Sequence, residues 1–238
     1  MIIPVLDHVV LDVHDDMDAA AALYRRLGFT LTPRGRHTLG SINHLAMFGT
    51  DYLELLGWPA DGGAARPELQ AWPRGLNGLV FKTDDADATY AHLNAAGLAA
   101  EPPRSFSRPV ALAGGTQDAR FRTVHVAADR SAIGRVYFCE HLTPDLVWRP
   151  EWQAHANGAL AIDSLVIAAG APDAAVALFR AMFGVEGSFA AGRARIEIVA
   201  DPGGGRDRMT TLRLLPHGPA AAIEAAGAGN VRLEFVPA

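Results

Sequence analysis

Leu6-Asp7-His8-Val9-Val10-Leu11 is an apolar run interrupted by an imidazole, and it returns twice along the chain. The copies are Leu76-Asn77-Gly78-Leu79-Val80-Phe81 and Ile162-Asp163-Ser164-Leu165-Val166-Ile167. Each reads as a strand and is followed by acidic residues suited to capping a helix: Asp15 and Asp16, Asp84 and Asp85, and Asp173. An Ala-rich helical stretch then ends at Gly28, Gly97 or Gly184, where helix C-caps belong. His8 to Gly28 and Ser164 to Gly184 are 20 residues apart, and Gly78 to Gly97 is 19. One supersecondary unit is therefore written three times.

Each unit closes on a strand with a single glutamate. Tyr52-Leu53-Glu54-Leu55 is matched with Phe138-Cys139-Glu140-His141 and with Arg232-Leu233-Glu234-Phe235. The pattern inside a unit is β-α-β-β-β. The first, residues 5–57, predicts strands near 5–13, 29–33, 42–48 and 51–57 and a helix near 17–27, with Met17, Ala20, Leu23, Tyr24 and Leu27 on one face. The second, residues 75–142, predicts strands near 76–83, 98–104, 119–127 and 135–141, with a long loop from Pro102 to Gly115. The third, residues 159–238, is less regular: strands near 193–199, 209–215 and the C-terminus, and a short helix near 219–227. Residues 1–142 are expected to form one domain. Residues 143–158, with Trp148, Trp152 and His155, read as a connector packed on it. The third unit is expected to cover an exposed sheet edge or to make a subunit contact.

Composition narrows the function. Of 238 residues, 50% are hydrophobic and 20% charged, an ordinary globular balance. A net charge of −5 with scattered basic residues argues against a nucleic-acid partner. Cys139 is the only cysteine, which rules out an intrachain disulfide and a Cys-based zinc site, and it reads as a small buried residue. No signal-peptide pattern and no apolar run near the ~20 residues of a membrane span are found, so a cytoplasmic protein without membrane association is expected. The excess of Ala over Lys fits a bacterial source.

The strings Leu6 to Val10, His37-x-x-Gly40-Ser41-x-Asn43 and Tyr52-Leu53-Glu54-Leu55 resemble those of the vicinal oxygen chelate superfamily, which includes glyoxalase I, extradiol ring-cleavage dioxygenases and bleomycin-resistance proteins. The resemblance covers the first two units and implies an α+β fold, with paired βαβββ units forming a cupped mixed sheet and the third unit appended. It also implies a divalent metal (Zn, Ni, Mn, Co or Fe) held by the first and last strands of each unit, at His8, Glu54, Gly78 and Glu140. Gly78 has no side chain, so the implied metal ligands are His8, Glu54 and Glu140, a three-ligand shell with open positions. The implied activity is a glyoxalase-like lyase or isomerase acting on a small, oxygen-rich substrate by Lewis-acid and proton-transfer chemistry. Glu54, Glu140 and His37 would be catalytic, and Asn43 would contact substrate. His37 and Asn43 also fit turn chemistry, and His8 and Glu54 fit a satisfied core pair and a solvent-facing strand residue. A ring-cleaving dioxygenase and a metal-free binding or resistance protein of the same fold stay open. Expected partners are the substrate and a second copy of the chain in a homodimer.

Overall fold

The first strand has two buried faces, and that property sets the architecture. Val9, Leu11 and Val13 enter one core while His8 and Val10 enter another. A strand buried on both sides belongs at the centre of a layered structure. The computed structural model describes residues 2–61, 66–201, 203–217 and 231–236. In chain order its first part comprises β1 (Leu6–His14), α1 (Met17–Arg26), β2 (Gly35–Arg36), β3 (Ile42–Met47), β4 (Tyr52–Gly57), α2 (Pro67–Gln70), β5 (Gly75–Lys82), α3 (Ala86–Ala95), β6 (Arg104–Leu112), β7 (Gly115–His125) and β8 (Arg135–His141). These strands form one eight-stranded mixed sheet in the order β2-β3-β4-β1-β5-β8-β7-β6.

The sheet curls into a cup whose two edges meet. The Thr38 N–H donates to Ser107 O (2.9 Å) and the Ser107 N–H to Thr38 Oγ1 (3.1 Å), tying the segment after β2 to β6. The expected loop at 102–115 is in fact β6, the turn after it and the start of β7. Pro109 survives there because β6 is an edge strand and need not donate on its outer side. The strands expected at 29–33 and 98–104 do not form. Each region contributes single backbone bonds instead, Thr32 N–H to Leu45 O and Glu101 N–H to His125 O.

The second part comprises β9 (Ala159–Ala169), α4 (Pro172–Phe183), β10 (Phe189–Ala191), β11 (Ala194–Ala200), β12 (Arg208–Pro216) and β13 (Arg232–Phe235), with sheet order β10-β11-β9-β12-β13. The helix expected at 219–227 lies outside the described residues. This sheet repeats the pairing of the first: β11 runs parallel to β9 as β4 does to β1, β12 antiparallel to β9 as β5 does to β1, and β13 parallel to β12 as β8 does to β5. The third unit thus carries the inner strands of both earlier units. It covers the outer face of the cup and not an edge, with Phe179, Phe183 and Phe189 packed on Phe81. Residues 143–158 pack as well. The His155 ring bonds Thr30 N–H (3.0 Å) and Met47 O (2.8 Å). No helix among the described residues is long and apolar enough to cross a membrane.

Of the expected caps, Asp85 accepts from Ala88 N–H (2.9 Å), whereas Asp15 and Asp16 hold Arg74. Asp173 lies inside the first turn of α4, and Asp207 takes the N–H of Gly170 just before it (2.8 Å). Gly28, Gly97 and Gly184 follow their helices with φ of 86°, 77° and 71°, the left-handed conformation that ends a helix.

β1 and β5 cross at a close approach. Gly78 lies opposite Val10, and a Cβ on it would stand 2.6 Å from the Val10 Cβ. Gly78→Ala is therefore expected to lower stability by about 1–3 kcal/mol through overpacking, read as a fall in the denaturant midpoint. An unchanged midpoint would contradict this packing.

Candidate active site

Inside the cup, His8 is 3% exposed and stacks on Tyr52 with ring centroids 4.3 Å apart. Asp7 bulges out of the β1 register beside it, and its Oδ2 accepts from His8 Nδ1 at 2.7 Å. That bond sets the tautomer, with the proton on Nδ1 and the Nε2 lone pair left to accept from the Tyr137 hydroxyl. Nε2 faces Tyr137 Oη at 3.4 Å and Glu54 Oε2 at 3.6 Å. Burial pushes the Tyr137 phenol well above its ordinary value, so it stays a donor.

Glu54 is held from the other side. Asn43 Nδ2 donates to Glu54 Oε1 (2.7 Å) and to His37 Nε2 (3.2 Å), while His37 Nδ1 donates to Ser41 Oγ (2.8 Å). His8, Glu54, Asn43 and His37 are thus brought into one polar group, and His44, next in β3, turns away to bond Thr32 O. Gly35 makes room for this arm. A Cβ there would lie 2.1 Å from Asn43 Oδ1 and 3.0 Å from Arg108 Cδ. Arg108, on the strand expected to be a loop, is 3% exposed, and its Nη2 has no hydrogen-bond partner. Arg135 is also buried, donating to Asn77 Oδ1 (2.9 Å) with its Nε unpartnered. These groups enclose about 40 Å³, room for a few water-sized atoms. A larger cavity of about 290 Å³ adjoins it and shares His125 and Arg135.

Glu140 is not in the cup. Phe138 joins the outer core and Glu140 follows it, accepting from Ala86 N–H at the start of α3 (3.2 Å) and from Arg122 Nη1 (3.4 Å). The strand pairing shows why the sequence match slipped. His8 pairs with Tyr52 and Val10 with Glu54, while Gly78 pairs with Arg135 and Val80 with Tyr137. If His8 corresponds to Gly78, Glu54 corresponds to Tyr137, three residues before Glu140. The same register in the second sheet makes Glu197 and Glu234 counterparts of Glu54. There Arg213 lies between them, donating to both carboxylates at 2.8 Å, with Ser164 Oγ at 3.4 Å. An internal cation occupies the second concave face.

The implied metal shell therefore does not fit these residues. His8 and Glu54 are available. Gly78 cannot carry any side chain against Val10, the fourth position holds a phenol, and Glu140 faces the helices. Among the described residues, the one group of three His, Cys, Asp or Glu donors within 4.8 Å of one another lies elsewhere, at Asp7, Cys139 and His141. A single cysteine rules out all-cysteine sites but not a mixed one.

The glyoxalase-like domain family model matches residues 6–183. No curated protein matches the chain. Among solved structures, a hypothetical protein from Staphylococcus aureus superposes with a TM-score of 0.79 at 13% identity, covering 99% of this chain and 100% of that one. A mutant 4-hydroxymandelate synthase from Streptomyces coelicolor gives 0.55 at 17% identity, covering 90% and 71%. Streptomyces coelicolor methylmalonyl-CoA epimerase gives 0.45 at 20% identity, covering 60% and 97%, too low a score to carry weight. At these identities the likeness extends to the fold alone.

Two cup histidines make a pH prediction. Burial lowers His37 to about 4 and His125 to about 3, against 6.5 for a free imidazole. Below about pH 6.5 the unfolded chain takes up two protons that the fold refuses, so stability falls with pH. Asp51, raised to about 6 by burial, acts oppositely between about 6 and 3.8 and offsets one of them. The urea midpoint is expected to drop between pH 7 and 4.5, and to drop less in His125→Gln. Equal drops would contradict the assignment.

Proposed function

From the premise that this chain belongs to the glyoxalase-like domain family, we propose that it is an isomerase- or lyase-type enzyme that moves a proton on a small, anionic, oxygen-rich substrate. The reading rests on one observation: an Asp7-oriented His8 whose Nε2 shares a small buried cavity with Arg108, whose Nη2 has no hydrogen-bond partner. A buried guanidinium calls for an anion, and its fork suits a carboxylate. The 40 Å³ space admits the reacting head of the substrate, and the adjoining 290 Å³ cavity takes the remainder.

In this reading the carboxylate docks on Arg108. His8 Nε2 removes a proton from the carbon beside a carbonyl, and the C–H electron pair moves into an enolate. Tyr137 O–H, held protonated by burial, donates to the developing oxyanion. The proton returns from His8 to carbon, or a leaving group departs. Asp7 stabilises the imidazolium formed in between, and Asn43 keeps Glu54 in place. Gly78 and Glu140 supply no ligand in the cup, which leaves His8 and Glu54 as the two cup side chains suited to hold a metal.

A second reading, a metal-free binding or resistance protein, is favoured by the aromatic walls of the same cavity: Tyr52, Phe106, Phe121 and Tyr137. Proton NMR in D₂O separates the two. The enzyme reading expects exchange of the C–H next to the carbonyl of a small 2-oxo or 2-hydroxy acid, slowed about 10²–10⁴-fold in His8→Gln. Arg108→Met is expected to raise KM about 10–100-fold, the loss of a charged hydrogen bond. Tight binding with no exchange across a panel of such acids would support the binding protein instead.

A further inference from the structure

Beside the cup cavity, on the same face of the sheet, Asp7, Cys139 and His141 offer a carboxylate oxygen, a sulfur and an imidazole nitrogen, all within 4.8 Å of one another. Asp7 Oδ2 and His141 Nε2 are 2.9 Å apart. The Asp7 and His141 side chains are 0% and 8% exposed, and Cys139 is 3% exposed. Two polar atoms of this trio, Asp7 Oδ1 and His141 Nδ1, are buried without a hydrogen-bond partner. Buried polar atoms left unpaired call for an explanation such as an ion or a water.

The trio opens on a chamber of about 340 Å³ whose other walls are Lys82, Thr83, Asp84, Glu140, Pro144 and Trp148. This chamber borders the cup only at Cys139. It supplies both an entry path and an open coordination position, the two features a three-ligand metal site requires beyond its donors.

We propose that Asp7, Cys139 and His141 bind a divalent cation of borderline softness, with Zn²⁺ the best match, at the wall of this adjoining chamber. One thiolate, one imidazole and one carboxylate form a mixed donor set of the kind Zn²⁺ takes. With bonds of about 2.0–2.3 Å, tetrahedral donors stand roughly 3.3–3.7 Å apart, so the trio closes on one ion with side-chain shifts on the order of 1 Å. Binding releases the Cys139 thiol proton to solvent through the chamber and moves the His141 proton from Nε2 to Nδ1, so that Nε2 presents its lone pair. Lys82 is the competing cation, with Nζ 3.9 Å from Asp7 Oδ1 and 4.5 Å from the Trp148 ring centroid. Its side chain is one-third exposed and can withdraw into the chamber mouth. The site shares Asp7 with the cup but uses neither Glu54 nor the Nε2 of His8.

Cobalt substitution tests it without reference to activity. Reduced, untagged, metal-free protein is titrated with Co²⁺, following the thiolate-to-cobalt charge-transfer absorption and the bound metal by mass spectrometry. One equivalent with a charge-transfer band is expected in wild type and in Glu54→Gln. Cys139→Ser should lose the band, and His141→Gln should bind at least about tenfold more weakly. Melting curves check that the variants are folded; should Cys139→Ser unfold, the wild-type band and the His141→Gln affinity decide. Absence of a band in wild type overturns the proposal. So does a band that survives Cys139→Ser, or uptake that Glu54→Gln abolishes.

Discussion

The buried carboxylate of Asp7 is the constraint on which the site depends. It is 0% exposed and accepts from His8 Nδ1 on one side and His141 Nε2 on the other. Burial alone would raise its pKa, but the His141 charge and the hydrogen bonds from both imidazoles bring it well below the usual carboxylate range. A charge in that position is tolerable only when it is surrounded by donors. Asp7 in turn fixes the His8 tautomer in the cup and gathers Cys139 and His141 beside it. The cup and the neighbouring donor trio therefore share one oxygen.

The rest of the scaffold holds that oxygen in place. β1 is central in the sheet, hydrogen-bonded to β4 on one side and β5 on the other, and buried on both faces. The antiparallel β1–β5 pair carries the axis that relates the two halves of the cup, at the position where Val9 faces Leu79. Equivalent positions then carry His8 and Gly78, and Glu54 and Tyr137, so the halves are alike in backbone and unlike in chemistry. The appended sheet repeats the geometry again and fills its concave face with Arg213 between Glu197 and Glu234. One backbone register thus supports three different polar solutions.

Much of this was legible in the chain because period and punctuation are local. The strand around His8, the helices ending at Gly28, Gly97 and Gly184, and the repetition of the unit follow from short-range pattern, while the pairing of units into a cup follows from the family resemblance. Within the polar group, His8 and Glu54 are marked by their apolar strand settings, and His37 and Asn43 by the family resemblance alone. What failed needed three-dimensional register. Glu140 was matched to Glu54 by residue type, whereas strand pairing matches Tyr137. Arg108 was hidden because Pro109 made an edge strand look like a loop. Asp7 was visible beside His8 but read as part of the strand, and its partner His141 is 134 residues away.

The orientation of His8 is the claim from which the rest follows, and nitrogen-15 NMR of its imidazole addresses it directly. Two-bond proton–nitrogen correlations at neutral pH are predicted to show the proton on Nδ1 and an unprotonated Nε2, with the pattern lost in Asp7→Asn. A proton on Nε2 in the wild-type protein, or a pattern indifferent to Asp7, would contradict the account.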